Sequence, residues 1–265
     1  MSQSAVQNGA MPQGPETLDQ PLGAEPFAAS EPSGQATAAV EHGRAVLRVE
    51  AAALATLAEH LDTPFAEAVA LLRGIEGRVV CTGMGKSGHI ARKIAATLSS
   101  VGTPAMFVHP GEASHGDLGM ITAKDAVLAL SNSGETAELK DLILYTRRFA
   151  IPLVAMIGKA ASTLGREAEV ALVLPELTEA CPLGLAPTTS TTAMLALGDA
   201  LAVALLHSAG FTPQHFAVFH PGGKLGSQLL RVDQLMRGTT ELPLVPPDCP
   251  MSEALVVMTE KCLGC

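Results

Sequence analysis

Val79-Val80-Cys81-Thr82-Gly83-Met84-Gly85-Lys86-Ser87-Gly88-His89 is the stretch on which the reading of this chain turns. A β-branched apolar run ends in a glycine turn, and a helix then opens with a lysine and a serine. Such a turn aims backbone N–H groups and a helix N-terminus at one point, which suits an anion such as a phosphate. Three readings compete. Gly83, Gly85 and Gly88 satisfy the dinucleotide fingerprint G-x-G-x-x-G. Gly85-Lys86-Ser87 imitates the tail of a P-loop, but the first glycine of that motif would fall at position 80, which is Val80. The third reading is a phosphosugar site, and a second turn decides for it.

That turn is Leu130-Ser131-Asn132-Ser133-Gly134-Glu135-Thr136, which follows the apolar run 126–130 and precedes a helical pattern. The hydroxyls of Ser131, Ser133 and Thr136 around a glycine make a compact cradle, to which Ser87 adds from the first turn. A dinucleotide site would instead want an acidic residue roughly 20 positions past its first glycines, at the tip of the second strand. The strand 105–108 ends in His109-Pro110-Gly111, with no acid at its tip and Glu112 only nearby.

The segments GMGKSGHIARK, FVHPGEASHGDLGM, SNSGET, EACPLGLAPTTSTTAMLALGDALAVALL and HPGGKLG carry a resemblance across roughly residues 40–230. On these the chain resembles the sugar isomerase (SIS) superfamily, and closely the arabinose-5-phosphate isomerases of Gram-negative bacteria. The resemblance implies an α/β fold, a SIS-type doubly wound parallel sheet of the flavodoxin-like three-layer kind. It implies an aldose–ketose isomerase that interconverts D-ribulose 5-phosphate and D-arabinose 5-phosphate and so supplies the Kdo sugar of lipopolysaccharide. It also implies a homo-oligomer, a tetramer, in which the histidine of HPGG comes from a neighbouring subunit in some members.

Composition sets the outer limits. A length of 265 residues allows one large domain or two small ones, and 48% hydrophobic content suffices for a core. A net charge of −9, no Trp and a single Tyr argue against nucleic acid as a partner. The cysteines are Cys81, Cys181, Cys249, Cys262 and Cys265, an odd and scattered set that suits reduced thiols in the cytoplasm. Cys262-Leu263-Gly264-Cys265 stands alone, whereas structural zinc wants four ligands. No secretory signal is expected. The apolar run 193–206 is interrupted by Gly198 and Asp199 and reads as a buried helix, not a membrane span.

Residues 1–35 are rich in Pro, Gly, Gln, Ser and Ala and are expected to be a disordered tail. Helices are expected over 38–61 and from 64 to 72. Strands at 78–82, 105–108, 126–130, 153–157 and 170–174 then alternate with helices at 87–100, 136–148, 162–167 and 189–209. That alternation gives a parallel sheet covered on both faces, the domain spanning 36–228. Residues 229–265 resemble the opening of a CBS motif that stops before its later strands, an incomplete segment at the C-terminus.

Moving a proton between C1 and C2 of a sugar phosphate needs a phosphate anchor, a base, a group to open a cyclic substrate and a stabiliser for the enediolate. It needs no redox cofactor. Lys86 is a cation at a helix N-terminus, where cations are disfavoured unless an anion is bound; resemblance gives it a catalytic role. Glu135 and Glu138 share the first turn of a helix, where carboxylates are favoured anyway; resemblance selects Glu138, and Glu135 reads as a cap. Glu179 lies in an apolar, proline-bearing segment and is the preferred general base. His220, fixed by Pro221 and two glycines, is the candidate for ring opening or proton shuttling. The threonines and serine of 188–192 add hydroxyls to the site or simply cap the last long helix.

His109 and His115 bracket Glu112 in a loop that could hold Zn²⁺. Resemblance places both histidines on substrate, adds Gly102 and Thr103 there, and gives His109 a metal contact. No cofactor is required, and a bound Zn²⁺ would be incidental or inhibitory. The rival readings are a SIS enzyme for another sugar phosphate and a SIS sensor that binds without turnover; an NAD enzyme is a distant third. A sensor needs only the cradle, so Lys86, Glu138, Glu179 and His220 together weigh against it.

Overall fold

In the computed structural model, residues 32–220 and 236–262 are described. The chain divides into two units, residues 1–47 and 48–265. In the first, the described part is the beginning of helix α1 (Pro32–His60), where Val40 and Leu47 are exposed. The helix starts at Pro32, inside the tail expected over 1–35, and proline is well suited to a first helical position.

The second unit takes α1 onward. Ala53 and Leu57, four residues apart, enter the core, as do Ala68 and Leu72 of α2 (Thr63–Gly74). The sheet follows: β1 (Val79–Gly83), β2 (Ala105–Phe107), β3 (Ala126–Ser131), β4 (Leu153–Ile157) and β5 (Val170–Val173). Its order is β2-β1-β3-β4-β5 and every pairing is parallel. β1, β3 and β4 are buried throughout. Helices on both faces leave these strands no solvent side, so they read as continuous apolar runs instead of alternating ones.

Alternation along each strand sorts side chains between two cores. Val79, Cys81, Leu128, Leu130, Val154 and Met156 pack with α3 (Gly85–Ser100) and α7 (Thr189–Ala209). Val80, Val127, Ala129, Ala155 and Ile157 pack with α4 (Pro110–Ala113), α5 (Lys140–Phe149) and α6 (Thr163–Glu167). The crossover after β1 therefore goes to one face and that after β3 to the other. The carboxyl ends of these neighbouring strands form the topological switch point, where ligands bind in such sheets.

α7 is the one described helix long and apolar enough to cross a membrane. Ala193, Met194, Leu197, Gly198, Leu201, Ala202 and Leu205 are buried on it, and Gly198 lets it approach α3: a Cβ there would meet Ile94 Cδ1 at 2.3 Å. Gly210 (φ 64°) closes the helix in the left-handed conformation. Asp125 locks the start of β3, its Oδ1 accepting from Arg78 N at 2.6 Å and its Oδ2 from Thr122 N at 2.7 Å and Thr122 Oγ1 at 2.9 Å. Cys81 is fully buried, and burial pushes its thiol up to about 12.

Two segments differ from expectation. The helix expected over 136–148 is a 3₁₀ turn, Ala137–Leu139, followed by α5, because Thr136 stays extended to reach back to Ser131. The segment from His109 to His115, expected as a loop, contains α4, with Pro110 in its first turn and His109 as its cap. α8 (Pro213–Phe219) follows α7. Of the segment read as a CBS opening, residues 229–235 and 263–265 lie outside the described residues. The remainder holds a 3₁₀ turn, Thr239–Glu241, and a helix, Met251–Lys261, with no buried residue.

Candidate active site

β1 and β3 pair directly, Gly83 opposite Leu130, so the two glycine turns leave the sheet side by side. In the first, Gly85 takes a positive φ of 57° and Gly88 packs on the strand end, where an added Cβ would meet Gly83 O at 2.5 Å. No side chain caps the start of α3. Its first N–H groups are free to meet an anion, with the exposed Lys86 and half-buried Ser87 beside them.

The second turn is preorganised. Ser131 Oγ and Thr136 Oγ1 are hydrogen-bonded at 2.8 Å, Gly134 N donates to Ser131 Oγ at 3.0 Å, and Glu135 N donates to Ser133 Oγ at 3.2 Å. Gly134 (φ 66°) sits against Ser162, whose Oγ a Cβ would meet at 2.0 Å. Leu164 N donates to Gly134 O at 3.0 Å, and Thr163 N donates to Glu135 Oε1 at 2.7 Å. The Thr163 N–H and hydroxyl hold the Glu135 carboxyl below its usual range. Glu135 thus caps α6 and not, as the sequence suggested, the helix that follows it, while Glu138 lies exposed in the 3₁₀ turn just past the cradle.

Glu179 lines a cleft of about 190 Å³ at the carboxyl ends of β3, β4 and β5, together with Asn132, Lys159, Glu176 and Ser190. Its Oε2 accepts from Thr188 N at 2.8 Å, Thr188 Oγ1 at 3.0 Å and Ser190 N at 3.4 Å, and its Oε1 accepts from Ser190 Oγ. Burial raises its proton affinity, but the Ser190 and Thr188 donors outweigh that and hold the carboxyl below the ordinary range. The hydroxyls of 188–192 therefore serve Glu179 and the start of α7. Asn132 and Lys159 escaped the sequence reading. Their signal was present: Gly158-Lys159 follows β4 much as Gly85-Lys86 follows β1, and Asn132 lies inside SNSGET.

Gly102, Thr103 and His220 stand apart from the cradle within one chain. Gly102 (φ 95°) and Thr103 lie between the end of α3 and the start of β2, at the amino edge of the sheet, and the Phe211 ring covers Gly102 at 2.5 Å from an ideal Cβ. In a parallel sheet every strand starts at the edge opposite the one where it delivers its catalytic turn, so these two residues do not join the cradle of their own chain. His220 Nδ1 donates to Phe216 O at 2.9 Å and its ring stacks on Phe216 at 3.9 Å, which leaves Nε2 to accept. His109 Nδ1 accepts from Gly111 N at 3.2 Å. His115 is exposed after α4. Among the described residues no three His, Cys, Asp or Glu side chains converge on a metal position, so His109, Glu112 and His115 do not make a zinc-ligand set by themselves.

Residues 72–204 match the SIS domain. The Arabinose 5-phosphate isomerase KdsD of Yersinia pestis is 53% identical over 223 residues, covering 84% of this chain and 68% of that protein. The Arabinose 5-phosphate isomerase KdsD of Escherichia coli K12 is 50% identical with the same coverage. A protein of E. coli CFT073 solved in complex with A5P aligns with a TM-score of 0.66 at 39% identity, over 70% of this chain and 98% of that one. Fold and paired turns together define a SIS domain built around a phosphosugar site. Within that class, the chain belongs to the arabinose 5-phosphate isomerase family.

Proposed function

We infer that this chain interconverts D-ribulose 5-phosphate and D-arabinose 5-phosphate through an enediolate. The observation that carries the reading is the adjacency of the two glycine turns at the β1–β3 switch point, with the Glu179 cleft opening along the same edge of the sheet. Ser87, Ser131, Ser133 and Thr136 take the phosphate with the α3 N-terminus. Lys86 and Glu138 flank the reacting carbons. Glu179 is ionised at neutral pH and moves the proton between C1 and C2. Four hydrogen bonds make it a weak base in the free protein, so catalysis requires Ser190 or Thr188 to turn a donor toward substrate. Loss of that bond raises the basicity of the carboxylate when it is needed.

His220, Gly102 and Thr103 stand outside the cradle of their own chain. Their placement supports a site completed between copies in a tetramer, with His220 Nε2 available to open the ring. The reading further takes the enzyme to be cytoplasmic and to supply the Kdo sugar, residues 229–265 to be the start of a CBS motif, and a Zn²⁺ ion at His109 to be incidental or inhibitory. The test is to incubate the purified chain with D-ribulose 5-phosphate and follow products by NMR. Appearance of D-arabinose 5-phosphate is expected; binding without conversion would favour the sensor reading.

A further inference from the structure

Among the described residues, one buried side-chain polar atom has no hydrogen-bond partner: Thr82 Oγ1. Thr82 is wholly inaccessible. A hydroxyl in that state destabilises the free protein, and valine would fill the same volume without the penalty. Valine is also what the neighbouring β1 positions hold, at Val79 and Val80. Packing alone therefore gives no reason for a threonine here.

Its position does. Thr82 is the penultimate residue of β1 and pairs with Ala129 of β3, across the switch point. By strand alternation it shares a face with Val80, and Ser131 shares that face with Ala129. Thr82 thus lies one row beneath the cradle serine, on the strand next to it. Ala129 and Ala155 continue its row across β3 and β4. Over this face near the strand ends lie α4, capped by His109, and the 3₁₀ turn carrying Glu138, which pack on each other.

We propose that the Thr82 hydroxyl is a substrate-binding group, which takes its missing hydrogen bond from a hydroxyl of the bound sugar phosphate at the β1–β3 switch point. This rests on the functional reading above. The phosphate goes to the cradle and Thr82 reads the sugar, so it acts on the polyol and not on the anion.

The experiment compares wild type, Thr82→Val and Thr82→Ser for thermal stability, for KM toward D-ribulose 5-phosphate, and for inhibition by inorganic phosphate. Thr82→Val should melt at a higher temperature than wild type yet show a KM raised about 3- to 10-fold, the scale of one hydrogen bond. Phosphate inhibition should stay unchanged, and Thr82→Ser should restore KM. An unchanged KM in Thr82→Val overturns the proposal. So does a lowered melting temperature in that variant, because the hydroxyl would then already have a partner in the free protein. A wild type that neither converts nor binds the sugar phosphate sinks the functional reading and this proposal with it; a wild type that works while Thr82→Val equals it sinks this proposal alone.

Discussion

At the scale of single residues, Glu179 concentrates the chemistry and the tension. The same donors that keep it ionised also hold it in the cap of α7. Glu179→Gln keeps the shape and removes proton acceptance, so turnover should fall by about 10²-fold or more while sugar-phosphate binding survives, read by steady-state kinetics beside calorimetric titration. Wild-type turnover in that variant would move the base elsewhere. The sequence made Glu179 conspicuous because a carboxylate among prolines and apolar residues lacks a surface explanation. It could not show Thr188 and Ser190 closing on it, since those contacts depend on how the segment folds back over nine and eleven residues. Gly102 illustrates the opposite case. Its positive φ and the Phe211 ring above it are packing facts that no local pattern announces.

At the scale of elements, strands and helices were legible because each is an apolar run punctuated by glycine, proline or a cap. The 3₁₀ turn at Ala137–Leu139 was not: its periodicity is that of the helix it introduces, and only the Ser131–Thr136 hydrogen bond breaks the two apart. Asp125 is an element-scale device that sequence reading passed over. It satisfies N–H groups from two segments at the start of β3. Asp125→Ala should cost about 3 kcal/mol, since buried donors are left unpaired. The dependence on acidity follows from its carboxyl. Burial raises its proton affinity, but the Thr122 and Arg78 hydrogen bonds more than reverse this and hold it below the usual value. Its stabilisation is therefore fully present above about pH 3.9, the unfolded value, and is lost as pH falls through the lower folded value. Melting curves of wild type and variant should converge in strong acid. A gap that persists there would show that the hydroxyl and N–H groups find the carboxyl in its protonated form too.

At the scale of the whole molecule, the described C-terminal helix Met251–Lys261 buries none of its residues, and Lys261 Nζ donates to Thr240 O at 2.7 Å within its own segment. Removing residues 240–265 should leave the melting temperature of the isomerase essentially unchanged and its turnover largely intact, checked by limited proteolysis with an activity assay; a tail that resists cleavage, or whose loss abolishes turnover, would mean that it packs on the core or on a neighbouring copy. An interior strand offers a further measurement. Cys81 sits midway along β1, between β2 and β3, with its thiol pushed up to about 12. A maleimide or disulfide reagent at neutral pH finds neither access nor thiolate there. The slow rate at which this one sulfur becomes modified is thus a clock for the opening of the whole sheet, readable by mass spectrometry in a chain that has no tryptophan to report it by fluorescence.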